Sequence, residues 1–477
     1  LMKRGLVRGV EFDRIQVPFI QTYPGGRNVL LVLSDVRPEV RVLIAPLEDA
    51  LAGRATWKSI ATFEDELTGV EMVSDDLYLL VNKGTPRGRL LKTSTAKPEI
   101  AGAREIVAQG PTVIDEIKRA KDGLYLKMMD GGINRLRRVD WDGRVSKIAL
   151  PFDGTIGDVF TSANEDGALM LLSGWLTPTG VWSVDANGKL ADTGITPKPP
   201  IDVSGYETKR GFATAKDGVK IPYSLIYKKG LKLDGNAPAY VLAYGAYGIS
   251  PLTPNFAGRL LALIDAGAIV GYANVRGGGE YGREWHKAGQ LANKPNTWRD
   301  LIAVCEELIA QKYTSRERLA IGGRSAGGIT VGRAMTERPD LFGAVVSGVG
   351  WSNPLRYVVE QNGFGEEPEW GVIREEAGYR ALKSIDSYQA VKDGTAYPAV
   401  LLTTGVTDPR VAPFHVAKMA ARLQKASSSG KPVLMRVEFE AGHGIGSTRA
   451  QQDREAADTY AFLLWQLGVK EYQPEDK

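Results

Sequence analysis

The sequence predicts an α/β protein: a doubly wound, mostly parallel sheet preceded by β-propeller blades. Three observations carry that reading. Residues 1–203 fall into short strands and turns. Inside them a strand start recurs at spacings of 46 and then 44 residues. From residue 204 to 477, strands alternate with helices.

In the first part, the runs Val29–Ser34, Val40–Ala45, Leu77–Val81, Leu124–Met129 and Ala168–Leu172 are alternating or apolar. Clusters of Gly, Pro, Asp and Asn separate them, which is the pattern of strands joined by turns. Asp76-Leu77-Tyr78 recurs as Asp122-Gly123-Leu124-Tyr125 and again as Asp166-Gly167-Ala168-Leu169. Each is followed by a polar turn and a second strand, as at Gly180–Asp185. A period of about 40–50 residues with about four strands per unit is that of propeller blades, with a sandwich of meanders as the alternative. About four blades fit before residue 204, and the chain reads as starting partway through a repeat.

In the second part, Ala239–Ala243 reads as a strand, Phe256–Ala266 as a helix and Ala268–Val275 as a buried strand. Trp298–Lys312 is an amphipathic helix, and strand Leu319–Ile321 leads through Ser325 into helix Gly328–Glu337. Strands Ala344–Val349 and Ala399–Thr404 follow, then helix Pro413–Ala426, strand Val433–Glu440 and helix Arg449–Leu467. Such alternation builds a parallel sheet covered by helices on both faces. Sheets of this kind carry their chemistry just beyond the carboxyl ends of the strands.

Composition excludes several classes. The 477 residues are 43% hydrophobic and 24% charged, as in ordinary globular chains rather than disordered or collagenous ones. Sixty basic and 56 acidic residues leave a net charge of +4, too small to expect a nucleic acid or an anionic membrane as partner. No apolar run approaches the ~20 residues of a membrane helix. The N-terminus is basic but has no apolar core, so no secretory signal is expected and the cytoplasm is the expected location, with the periplasm as the alternative. One cysteine, Cys305, and three histidines, His286, His415 and His443, give no disulfide and no closed metal site, so neither a metal nor another cofactor is expected. Nothing in the sequence fixes an oligomeric state.

Gly323-Arg324-Ser325-Ala326-Gly327 is a G-x-S-x-G sequence between a predicted strand and a predicted helix. The glycines permit the sharp turn that lifts a serine hydroxyl clear of its own backbone. A hydroxyl needs a base to take its proton, and the base needs an acid to orient it. In sheets that carry this elbow, the partners follow in the order Ser, Asp or Glu, His, each after a strand. Asp408, after the strand ending at Thr404, and His443, in Ala441-Gly442-His443-Gly444, meet that order. His415, in a helix beside Pro413, reads as structural, and His286, after Glu284-Trp285, as a loop or domain-interface residue.

On these residues, 204–470 resemble the catalytic domain of the prolyl oligopeptidase family of serine peptidases. The resemblance extends through Tyr244–Tyr247, Gly248–Asn255, Asn274–Gly282, Gly322–Gly328, Arg338–Phe342, Asp408–Val411 and Ala441–Gly444. It implies a seven-bladed N-terminal propeller joined to an α/β-hydrolase domain, so that the four blades counted here correspond to a member lacking its first part. It further implies Ser325 as nucleophile, Asp408 as orienting acid and His443 as base. The Ala326 N–H and the Tyr244 hydroxyl would form the oxyanion hole, and Arg410 would bind a substrate carbonyl. Tyr247 and Trp370 would stand in the pocket for the P1 side chain, the residue on the acyl side of the cleaved bond. Glu366 would match one of the paired glutamates of members that cleave after basic residues, with Pro368 in place of the other. The tryptophan on which proline-specific members stack the ring has no aromatic counterpart in Gly365–Gly371.

The function expected is a serine peptidase acting on short peptides. Its alternatives are a divergent family member that opens the isopeptide ring of a lasso peptide, an esterase, and a non-catalytic propeller scaffold.

Overall fold

The computed structural model describes residues 7, 9–13, 15–197, 199, 201–360, 363–444 and 447–474. Most of the basic N-terminal stretch read above, residues 1–6 and 8, lies outside them. The chain divides into two compact units. One takes in the residues up to 199 with Thr253–Phe256 and Gly279–Glu284, and the other holds the remainder.

The first unit is a β-propeller domain with, among the described residues, four sheets, each a meander of four antiparallel strands. The sheets run from Val17–Thr22 to Lys58–Ala61, from Leu67–Val73 to Arg104–Val107, from Val113–Ala120 to Val145–Ile148, and from Thr155–Phe160 to Leu190–Asp192. Among the described residues the first sheet has four strands. Its first strand, Val17–Thr22, is mostly exposed and escaped a reading tuned to apolar runs. Adjacent sheets bury their facing side chains together, as where Val42 and Ile44 meet Met72 and Leu79. The repeated Asp-Gly has a physical cause. Gly167 has φ +86°, and a Cβ there would stand 2.1 Å from the Val184 carbonyl oxygen. The Asp122 carboxylate accepts the Gly167 N–H at 3.0 Å and the Arg138 guanidinium at 2.8 Å, tying the third sheet to the fourth.

The second unit is an α/β-hydrolase domain. Its eight strands are β1 (Tyr206–Thr214), β2 (Lys220–Lys228), β3 (Ala239–Ala243), β4 (Ile269–Ala273), β5 (Leu319–Arg324), β6 (Ala344–Gly348), β7 (Ala399–Gly405) and β8 (Val433–Glu438). They lie in the order β1-β2-β4-β3-β5-β6-β7-β8. β2 is antiparallel to β1 and to β4, and every later pairing is parallel. β4, β6 and β7 are buried along their whole length, as a sheet with both faces covered requires.

Three expectations shift here. The β1–β2 hairpin went unread, because β1 is mostly half-exposed and lacks an apolar run. The helix expected over Phe256–Ala266 is confined to Leu260–Asp265, with Gly258 just before it. The helix expected from Trp298 begins at Pro295, since a proline in the first turn loses no helical hydrogen bond.

Candidate active site

The Gly323–Gly327 segment forms the turn between β5 and the helix Gly327–Glu337. Ser325 sits in it with φ +55°, a conformation that a non-glycine residue adopts only where its surroundings impose it. The Ser325 N–H donates to the Gly348 carbonyl at 2.9 Å, while its own carbonyl accepts from Gly328 and Trp351. A Cβ on Gly323 would come within 2.3 Å of the Gly327 carbonyl oxygen, so the chain can double back only without one. Ala326 is the cap residue of the helix and is 1% exposed.

Asp408 and His443 leave the ends of β7 and β8. Asp408 Oδ2 lies 2.7 Å from His443 Nδ1, and Asp408 Oδ1 accepts the backbone N–H groups of Arg410 and Val411 at 2.8 and 2.9 Å. Burial alone would raise this carboxyl, but His443 and the two N–H donors outweigh it and hold it below the usual carboxylate range. Asp408 is therefore an anion that only accepts, so His443 Nδ1 carries the proton and leaves Nε2 as the basic atom. His443 and Gly444 also line a pocket of about 420 Å³ shared with Tyr240, Leu242 and the Arg259 and Arg324 side chains.

Tyr244 follows β3, and Ser325 is among the groups that act on its phenol. Burial pushes its phenol up to about 12, with Glu366 and Glu369 adding to the rise and Ser325 and Arg410 opposing it. It is thus a protonated donor at neutral pH. Arg410 is exposed on the loop after Asp408.

The remaining expected residues come together, but turn their polar atoms on one another. Tyr247 Oη donates to Glu366 Oε2 at 2.7 Å, and Trp370 Nε1 lies 3.2 Å from the same oxygen. Trp370 is 1% exposed and meets Tyr247 and Trp351 edge-on. His286, expected in a loop, lies in the short helix Arg283–Lys287, and its Nε2 is 2.7 Å from Glu369 Oε2. His415 is fully buried, accepting the Asn353 N–H on Nδ1 and meeting Glu360 through Nε2 at 2.9 Å. Glu369, Lys294 and Thr330, all in contact with the Tyr244–Tyr247 loop, were not singled out from the sequence. For Thr330 and Glu369 the one signal available was their nearness in sequence to motif residues.

Comparison with known proteins decides the family. The family model "Prolyl oligopeptidase family" matches residues 254–470, and "Prolyl oligopeptidase, N-terminal beta-propeller domain" matches residues 29–191. The chain belongs to the prolyl oligopeptidase family. This family member is 33% identical to a prolyl endopeptidase of Elizabethkingia meningoseptica over 413 residues, which are 86% of this chain and 58% of the relative. A solved prolyl endopeptidase structure superposes with a TM-score of 0.89 at 29% identity, covering 96% of this chain and 67% of the other. Oligopeptidase B from Leishmania major gives 0.87 at 26% identity, covering 96% and 66%. The chain thus spans a little under three-fifths of the length of the prolyl endopeptidase it matches.

Proposed function

We propose that this family member is a serine peptidase that cleaves short peptides through an acyl-enzyme. The observation that carries the reading is Asp408 gripping His443 at 2.7 Å on the loops after β7 and β8, with Ser325 held on the strained turn after β5. In this reading the Ser325 hydroxyl attacks the peptide carbonyl as His443 Nε2 takes its proton, and Asp408 stabilises the imidazolium that forms. The negative charge that develops on the carbonyl oxygen is met by the Tyr244 hydroxyl and the Ala326 N–H, two donors fixed before the reaction begins. His443 then protonates the departing amine, and water cleaves the acyl-enzyme by the same steps in reverse. Arg410 binds a backbone carbonyl of the peptide. Tyr247 and Glu366 bound the P1 side chain, with Trp370 as the wall behind them. The two domains of the chain are taken to meet at residues 203 and 204.

Ser325→Ala should abolish labelling by a fluorophosphonate probe with the melting temperature kept, and a labelled variant would overturn the nucleophile. Matched peptides with Pro, Arg or Ala at P1 then read the pocket. Strong preference for Arg that Glu366→Gln removes would assign a basic P1 residue. Poor cleavage of all three would move the reading to an unusual acyl bond, with a ring isopeptide as the first substrate to try.

A further inference from the structure

The loop that carries Tyr244 is held by buried side chains from three separate elements. Thr330, in the helix after Ser325, donates to the Tyr244 carbonyl at 2.7 Å. Lys294 Nζ donates to the next carbonyl, Gly245. Glu369 Oε1 accepts the Tyr247 N–H at 2.9 Å, and its other oxygen is held by His286 at 2.7 Å. Lys294 and Thr330 are 0% exposed, and Glu369 is 2% exposed.

Lys294 is the member that general packing does not account for. Its ammonium sits 4.7 Å from the centre of the Trp370 ring, in a place where an apolar side chain would cost less to bury. Burial pulls it down to about 8, and Glu369 opposes that fall. What the ammonium adds is a charge-assisted hydrogen bond to the carbonyl of the residue after Tyr244, roughly twice as strong as a neutral one. A donor in an oxyanion hole works only where its hydrogen meets the developing charge, so a grip one residue away bears on rate rather than on affinity.

We propose that Lys294 is a positioning residue for Tyr244, fixing through the Gly245 carbonyl the place of the hydroxyl that meets the tetrahedral oxygen, with Thr330 holding the carbonyl of the preceding peptide, that of Tyr244 itself. This rests on the reading of Tyr244 as an oxyanion donor. The consequence is a split between stability and turnover that a filler residue would not show.

The test is the rate at which a fluorophosphonate labels Ser325, since the phosphoryl oxygen of that probe enters the oxyanion hole. Lys294→Met should lower the maximal labelling rate about 10- to 100-fold, somewhat less than losing a donor outright. The half-saturating probe concentration should change by less than about threefold, because ground-state binding is left alone. In a Tyr244→Phe background the same substitution should have almost no further effect. An unaltered rate in Lys294→Met, or an equal fold-loss in both backgrounds, would overturn the proposal. Tyr244→Phe labelled at the wild-type rate would overturn the oxyanion reading instead, in a protein whose Lys294 is intact. If Lys294→Met melts early, Thr330→Val, which only exchanges a hydroxyl for a methyl, carries the same double-variant comparison. A Thr330→Val loss that persists undiminished beside Tyr244→Phe would also count against the proposal.

Discussion

Glu366 is a carboxyl enclosed by Tyr247 and Trp370, and its burial raises it above the usual carboxylate range, while the hydrogen bonds from both neighbours oppose the rise. A raised carboxyl contributes stability that is complete below its unfolded value, about 4.3, and is lost as the pH climbs through the folded value. Glu366→Gln removes that loss. The variant should therefore melt at least as high as wild type at pH 7, with an advantage that shrinks to nothing near pH 4. A constant difference across that range would mean that burial does not burden Glu366. Residues of this kind mark the limit of reading from sequence. Ser325, Asp408 and His443 announced themselves because a strained turn and two strand-end loops leave local signatures. Lys294 has no such signature: a lysine at the start of a helix reads as a solvated charge, and only the fold seals it beneath Tyr244. The residues proposed for the P1 pocket fall between the two cases. The segment Gly365–Gly371 was found, but which way Trp370 faces is decided by Trp351 and Tyr247, which lie outside it.

Among elements, the elbow and the blades were legible for the same reason: each repeats a backbone need that few residues meet. The elbow is the stricter of the two. Gly323→Ala would push a methyl into the Gly327 carbonyl, so the turn must open and Ser325 must move. Displacement of about 1 Å costs ~10²-fold at a reacting centre, and fluorophosphonate labelling should fall accordingly. Labelling at the wild-type rate would show that the turn has slack. In the propeller, Asn134 is fully buried between the third and fourth sheets. Its amide donates to the Met128 carbonyl at 3.1 Å and accepts the Ile156 N–H at 2.9 Å. Asn134→Leu leaves both backbone groups unpaired, at about 1–3 kcal/mol each. A urea melt that reports the propeller should shift by that amount, whereas the exposed Lys147→Ala should leave it in place. No shift for Asn134→Leu would mean that water or a relaxed backbone replaces the side chain. The first blade strand and β1 stayed hidden because their side chains alternate too weakly to signal a strand. Their pairing comes from neighbours in space, not from their own sequence.

Across the whole molecule, the three imidazoles are the groups a transition metal would seek first, and each is already engaged in a different place. His286 meets Glu369, His415 meets Glu360 and Asn353, and His443 meets Asp408. The single thiol, Cys305, is buried in the helix Pro295–Ala310, and burial pushes it up, away from the thiolate that binds metals. Among the described residues no group of three or more His, Cys, Asp or Glu side chains could hold a metal ion. Zinc that took His443 from Asp408 would inhibit rather than activate. Labelling of Ser325 and peptide turnover should both be unchanged after dialysis against EDTA. Added zinc should at most slow them, and this inhibition should vanish when the chelator returns. Activity lost to EDTA and restored by zinc would require a metal-activated water in place of the Ser325 hydroxyl, and with it a different account of every residue around Ser325.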